Sequence, residues 1–108
     1  EQVPGTLYLS LMKILIIEDE EDLLDSMSAY LSAEGYRCEH ARDFTSALHK
    51  IHDYRYACIL LDLMLPGGDG IEILRRLREL GQADGVIIIS ARNSIDDKIE
   101  GLKVGADD

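Results

Sequence analysis

The chain has 108 residues, with 11 Lys+Arg against 21 Asp+Glu and a formal net charge of −10. That length suits one domain, which can bury somewhat more than ~60% of its unfolded surface and hold a core without disulfides or structural metal. The 46% hydrophobic and 30% charged fractions are those of a soluble globular protein rather than a disordered or collagenous one.

The acidic balance argues against direct binding to nucleic acid or an anionic membrane, whose phosphates are met mainly by Lys and Arg. Cations and basic partner surfaces are the natural counterparts. No uncharged apolar run approaches the ~18 residues of a membrane span. Cys38 and Cys58 show no CxxC spacing and no His-Cys cluster, so both are expected as buried thiols in a reducing cytoplasm.

Met12-Lys13 reads like a natural start, and residues 1–11 are set apart as an expression remnant or read-through, although Thr6 to Leu11 is strand-prone. Ile14 to Ile17 predicts a buried strand. Leu23, Met27, Tyr30 and Leu31 then recur at helical spacing, and Gly35 offers a stop. The polar alternation of Tyr36 to Ala41 suits an edge strand. Asp43 is placed to cap a second helix carrying Phe44, Ala47, Leu48 and Ile51 inward. Cys58 to Leu61 is a continuous apolar run of the kind found in parallel strands covered on both faces. The turn cluster Pro66 to Gly70 follows, with Asp69 as the cap of a third helix whose inward face is Ile71, Leu74 and Leu77. Val86 to Ile89 predicts a fourth strand, ending at Ser90, and Ile95, Ile99 and Leu102 mark a last helix. Alternating strands and helices with apolar strands specify an α/β fold with a parallel sheet and right-handed crossovers.

In such sheets ligands bind beyond the carboxyl ends of the strands. Glu18 and Asp19 follow the first strand, Asp62 the third and Ser90 the fourth, so three carboxylates and a hydroxyl converge on one edge. Acids favour a helix N-terminus, which alone could account for Glu18 to Asp22. Asp62 ends a buried strand and lies too far upstream of the third helix to cap it, so it calls for a partner or a cation. A hard divalent cation such as Mg²⁺ would relieve the repulsion. One carboxylate could then attack phosphorus, with the Ser90 hydroxyl donating to a phosphoryl oxygen.

Together, Lys13-Ile-Leu-Ile-Ile-Glu-Asp-Glu20, Leu61-Asp-Leu-Met-Leu-Pro-Gly-Gly-Asp-Gly70, Ile87-Ile-Ile-Ser-Ala91 and Gly101-Leu-Lys-Val-Gly-Ala-Asp-Asp108 resemble the response-regulator receiver domain of two-component signalling. The resemblance runs from Met12 to Asp108 and is strongest to the OmpR-like subfamily. It implies a flavodoxin-like (CheY-like) doubly wound sheet of order 2-1-3-4, with the family's fifth strand and helix beyond the chain. It implies Asp62 as phosphoacceptor, Asp19 as direct Mg²⁺ ligand, Glu18 acting through water, the Met64 backbone carbonyl as a further ligand and Ser90 as switch hydroxyl. The family's phosphoryl-pairing lysine has no counterpart in this chain. The implied partners are a sensor histidine kinase and a C-terminal DNA-binding domain of the full-length protein, controlling transcription from the cytoplasm. A homodimer or strand-swapped oligomer is the implied assembly, because loss of the fifth strand would open a Val86 to Ile89 edge that Thr6 to Leu11 or another chain is expected to cover.

Such a domain is a phosphoacceptor with self-dephosphorylation rather than a turnover enzyme. Two rivals are a receiver-fold interaction module without phosphotransfer and an Asp-nucleophile phosphohydrolase. The latter would want a second Asp where Met64 stands. A flavodoxin-like flavin protein is disfavoured by the acids after the first strand, which would repel its phosphate. His40, His49 and His52 read as surface or half-buried residues, and Arg75, Arg76 and Arg78 as a solvated face pairing with Glu72 and Glu79.

Overall fold

The computed structural model describes residues 12–65 and 68–89, with residues 68 and 69 described by their backbone. The expected roles of Thr6 to Leu11, Ser90, the helix of Ile95, Ile99 and Leu102, and the Asp69 side chain lie outside the described residues. Strand β1 (Lys13–Ile17) leads into helix α1 (Glu21–Ala33), and β2 (Arg37–Ala41) into α2 (Phe44–Asp53). Strand β3 (Cys58–Leu61) is followed by the short strands β4 (Met64–Leu65) and β5 (Gly68–Asp69), helix α3 (Gly70–Glu79), a 3-10 turn (Ala83–Gly85) and β6 (Val86–Ile88).

The main sheet is parallel, in the order β2-β1-β3-β6. Counting only its own four strands, this is the expected 2-1-3-4. The apolar strands belong at its centre because a parallel sheet is roofed on both faces by its crossover helices. Leu15, Ile16 and Ile17 are wholly buried. Strand alternation divides the side chains between two layers: Leu15, Ile17, Ile59, Leu61 and Val86 pack under α2 and α3, and Ile14 and Ile16 pack under α1.

Local chemistry sets the helix ends. Asp43 Oδ1 accepts from the Ser46 N–H at 2.8 Å, satisfying one of the donors that the first turn of α2 leaves free. Asp43→Ala is expected to cost about 1 kcal/mol, read as a lower urea midpoint at constant m. Helix α1 ends where Gly35 takes φ 102°, a left-handed value that lets the Tyr36 N–H reach back to Leu31 O.

Four expectations need correction. The inward stripe of α1 is Leu24, Met27 and Leu31, and Tyr30 is 67% exposed on its flank. Leu23 and Leu24 are adjacent, and the sheet takes the second. In α3 the buried residues include Ile73 beside Leu74 and Leu77, whereas Ile71 is half-buried. Cys38 and Cys58 are half-buried free thiols that flank Ile14 on either side of β1, on the face that α1 covers. Two strand spacings, roughly 9.5 Å, separate them, too far for a disulfide. The turn cluster holds an antiparallel hairpin, Met64 opposite Asp69 and Leu65 opposite Gly68, which the sequence did not suggest.

Among the described residues, one helix roofs the α1 face of the sheet and two roof the other. Leu60 lines an apolar groove with Ser26, Met27, Tyr30 and Leu31. Ile87, opposite Leu60 in register, is 40% exposed. No helix among the described residues is long and apolar enough to cross a membrane.

Candidate functional site

The carboxyl ends of β1 and β3 are tied side by side. The Asp62 N–H donates to Ile17 O at 2.9 Å, and the Glu18 N–H donates to Ala41 O at 3.1 Å. These bonds extend the ladders one residue past the strands and hold both acids at the rim. Glu18 is 2% and Asp62 5% exposed, the buried polar side chains among the described residues, and Asp19 is half-buried. Carboxylate oxygens of Glu18, Asp19 and Asp62 all lie within 4.8 Å of one another.

Two of these oxygens are held by backbone donors. Glu18 Oε2 accepts from the Glu20 N–H at 3.0 Å, just ahead of α1, and Asp62 Oδ1 accepts from the Met64 N–H at 3.0 Å. Among the described residues, Glu18 Oε1 is buried with no hydrogen-bond partner. Burial, with the neighbouring Asp62 charge, pushes the Glu18 carboxyl up to about 7, and the Glu20 N–H opposes that rise. Two unit charges at this separation repel by roughly 3 kcal/mol at an effective dielectric near 20. An orphaned oxygen in a cluster of three carboxylates therefore suits a hard divalent cation.

The hairpin aims the backbone of Met64. The Gly70 N–H donates to Leu63 O at 3.0 Å, which makes Leu63 and Gly70 a hydrogen-bonded pair. Opposed residues alternate in an antiparallel ribbon, so Met64 occupies a non-hydrogen-bonded position, with its N–H and C=O both turned away from Asp69. The N–H meets Asp62, and the carbonyl shares that edge.

The residue model of the response regulator receiver domain matches residues 14–108. This chain belongs to the response-regulator receiver family. The receiver is 43% identical over 95 residues to the uncharacterized transcriptional regulatory protein YkoG of Bacillus subtilis, covering 88% of this chain and 42% of that one. It is similar in structure to the receiver domain of the Francisella response regulator 1452, with TM-score 0.80 and 36% identity over 90% of this chain and 80% of that chain. It is also similar to a response regulator of Burkholderia pseudomallei, whose crystal structure holds a phosphorylated aspartic acid, a calcium ion and citrate. That likeness has TM-score 0.81 and 25% identity over 89% of this chain and 56% of that chain. The receiver thus spans less than half the length of the curated regulator it matches.

The structure brings Glu18, Asp19 and Asp62 together, with the Met64 N–H on Asp62, and Ser90 lies outside the described residues. The histidines stand elsewhere: His40, His49 and His52 are exposed, with His52 Nδ1 2.8 Å from Leu48 O. Arg75 and Arg76 both pair with Glu72, at 3.2 and 3.3 Å. Sequence reasoning took Gly70 for a turn residue. The structure buries it against the backbone of the Asp62 loop. Its legible signal was a glycine opening a helix, where a better helix former would ordinarily stand.

Proposed function

We propose that this receiver accepts a phosphoryl group on Asp62 in a Mg²⁺-dependent reaction. The observation that carries the reading is the clustered trio Glu18, Asp19 and Asp62 with its orphaned Glu18 oxygen at the C-terminal edge of a parallel sheet. The phosphorylated aspartic acid and bound calcium of the Burkholderia pseudomallei relative support the same chemistry here. Asp19 would hold Mg²⁺ directly, with Asp62 and the Met64 carbonyl as further ligands and Glu18 acting through water. Bound Mg²⁺ would supply charge neutralisation in the pocket.

The chain's own residues do the rest. An Asp62 carboxylate oxygen bonds to phosphorus as the bond from phosphorus to the donor's imidazole nitrogen breaks. The electron pair stays on that nitrogen, which takes up a proton, and an acyl phosphate remains on the protein. The Met64 N–H keeps the other Asp62 oxygen in place during attack. The Ser90 hydroxyl would donate to a phosphoryl oxygen as the switch. The donor is a sensor histidine kinase, and the product shifts a face that controls a C-terminal DNA-binding domain in the cytoplasm. It is a phosphoacceptor with self-dephosphorylation rather than a turnover enzyme.

Incubation with acetyl phosphate and Mg²⁺ is expected to add the mass of one phosphoryl group, on the peptide containing Asp62. A protein left unmodified, or labelled on another residue, would overturn the assignment.

A further inference from the structure

Gly70 opens α3 and is buried, yet its φ is not in the left-handed region, so conformational freedom does not explain it. Close approach does. A Cβ at this position would lie 2.5 Å from Leu63 Cα, 2.6 Å from Asp62 O and 2.8 Å from the Leu63 carbonyl carbon. All three atoms are backbone, so no side chain can swing aside, and either the helix or the Asp62–Leu63 peptide must move.

We infer that Gly70 is a positioning residue for the acceptor carboxylate, acting by letting the first turn of α3 close directly on the Asp62–Leu63 peptide. Three contacts form one clamp. The Asp62 N–H is fixed to Ile17 O on the β1 side, the Gly70 N–H to Leu63 O on the α3 side, and the Met64 N–H to the Asp62 carboxylate between them. The peptide carrying Asp62 is held from both sides, and an added methyl group opens the α3 side. The displaced loop carries the Met64 amide away from Asp62 and loosens the pocket shared with Glu18 and Asp19. The inference rests on the reading of Asp62 as acceptor for its consequence, but its geometric core does not need that reading.

Gly85 supplies the control. A Cβ there would meet Ala57 O at 2.9 Å, also backbone, at the opposite end of β3 and β6. The experiment compares Gly70→Ala and Gly85→Ala with the parent by amide exchange at Met64 and by Mg²⁺ titration, with urea unfolding to record each stability. Gly70→Ala is expected to speed Met64 exchange and to weaken Mg²⁺ binding by about tenfold or more. Gly85→Ala should leave both at the parent's values. If Gly70→Ala does not fold in buffer, the same measurements are made in trimethylamine N-oxide, which favours compact states. Parental Met64 protection and Mg²⁺ affinity in Gly70→Ala would overturn the inference, as would an equal loss in Gly85→Ala. Failure of the acceptor reading would appear separately, as a parent that acetyl phosphate does not label while the Met64 contrast persists.

Discussion

Asp62→Asn is expected to take up no phosphoryl group from acetyl phosphate at any Mg²⁺ concentration, while remaining folded. The amide oxygen keeps an acceptor for the Met64 N–H, now 3.0 Å from Asp62 Oδ1, so the loop loses no hydrogen bond. The substitution also removes one charge from a pocket whose acids lie within 4.8 Å of one another, which eases repulsion rather than adding to it. What disappears is the nucleophile, and no cation replaces that. Asp19→Asn separates the roles. It keeps Asp62 intact and removes a proposed metal ligand, so labelling should fall by about tenfold or more at low Mg²⁺ and recover in part as Mg²⁺ is raised. Intact mass after a fixed reaction time reads both variants. Labelling of Asp62→Asn equal to the parent's would exclude Asp62 as acceptor, and full recovery of that variant at high Mg²⁺ would reduce it to a ligand.

The sheet and the acidic pocket were legible because they depend on residue type and order alone. Apolar runs such as Ile14 to Ile17 can be buried on both faces only in a covered parallel sheet, and the rim position of Glu18 and Asp62 follows from where those runs end. Features decided by contacts between distant segments were not legible. The choice of Leu24 over Leu23, and the exposure of Tyr30, depend on how α1 rolls on the sheet, which a periodic stripe leaves open by one position. The half-exposure of the two thiols and of Leu60 reflects a face that, among the described residues, is roofed by one helix. Gly70 shows the limit most clearly. Its glycine is required by an approach to Asp62 O and Leu63 Cα, eight and seven residues away, that no local pattern encodes.

Without divalent cation, stability is expected to fall as pH rises from about 4.5 to about 7, in the window set by Glu18. Its carboxyl stands at 4.5 when unperturbed and is pushed up to about 7 in the folded chain, first by burial and then by the Asp62 charge. Between those values the folded state binds more protons than the unfolded one, so the slope of unfolding free energy with pH is negative. The contribution is fully present below 4.5 and lost above 7, on the order of 3 kcal/mol in all. Glu39 works in the opposite sense, since its bonds from Tyr56, Lys50 and Lys13 hold its carboxyl below the usual range. The Glu18 effect is therefore isolated by Glu18→Gln. Urea midpoints measured in EDTA across this pH range should decline in the parent and decline much less in the variant. Above pH 7 the variant should be the more stable by a comparable amount. Mg²⁺ narrows that difference, because binding at a hundredfold excess over its Kd adds about 2.7 kcal/mol to the parent, while the variant has lost one of the carboxylates that draw the ion. A parent whose stability in EDTA is flat or rising over this window, or a Glu18→Gln that gains as much from Mg²⁺ as the parent does, would show that the buried Glu18 carboxylate is not held in readiness for a cation.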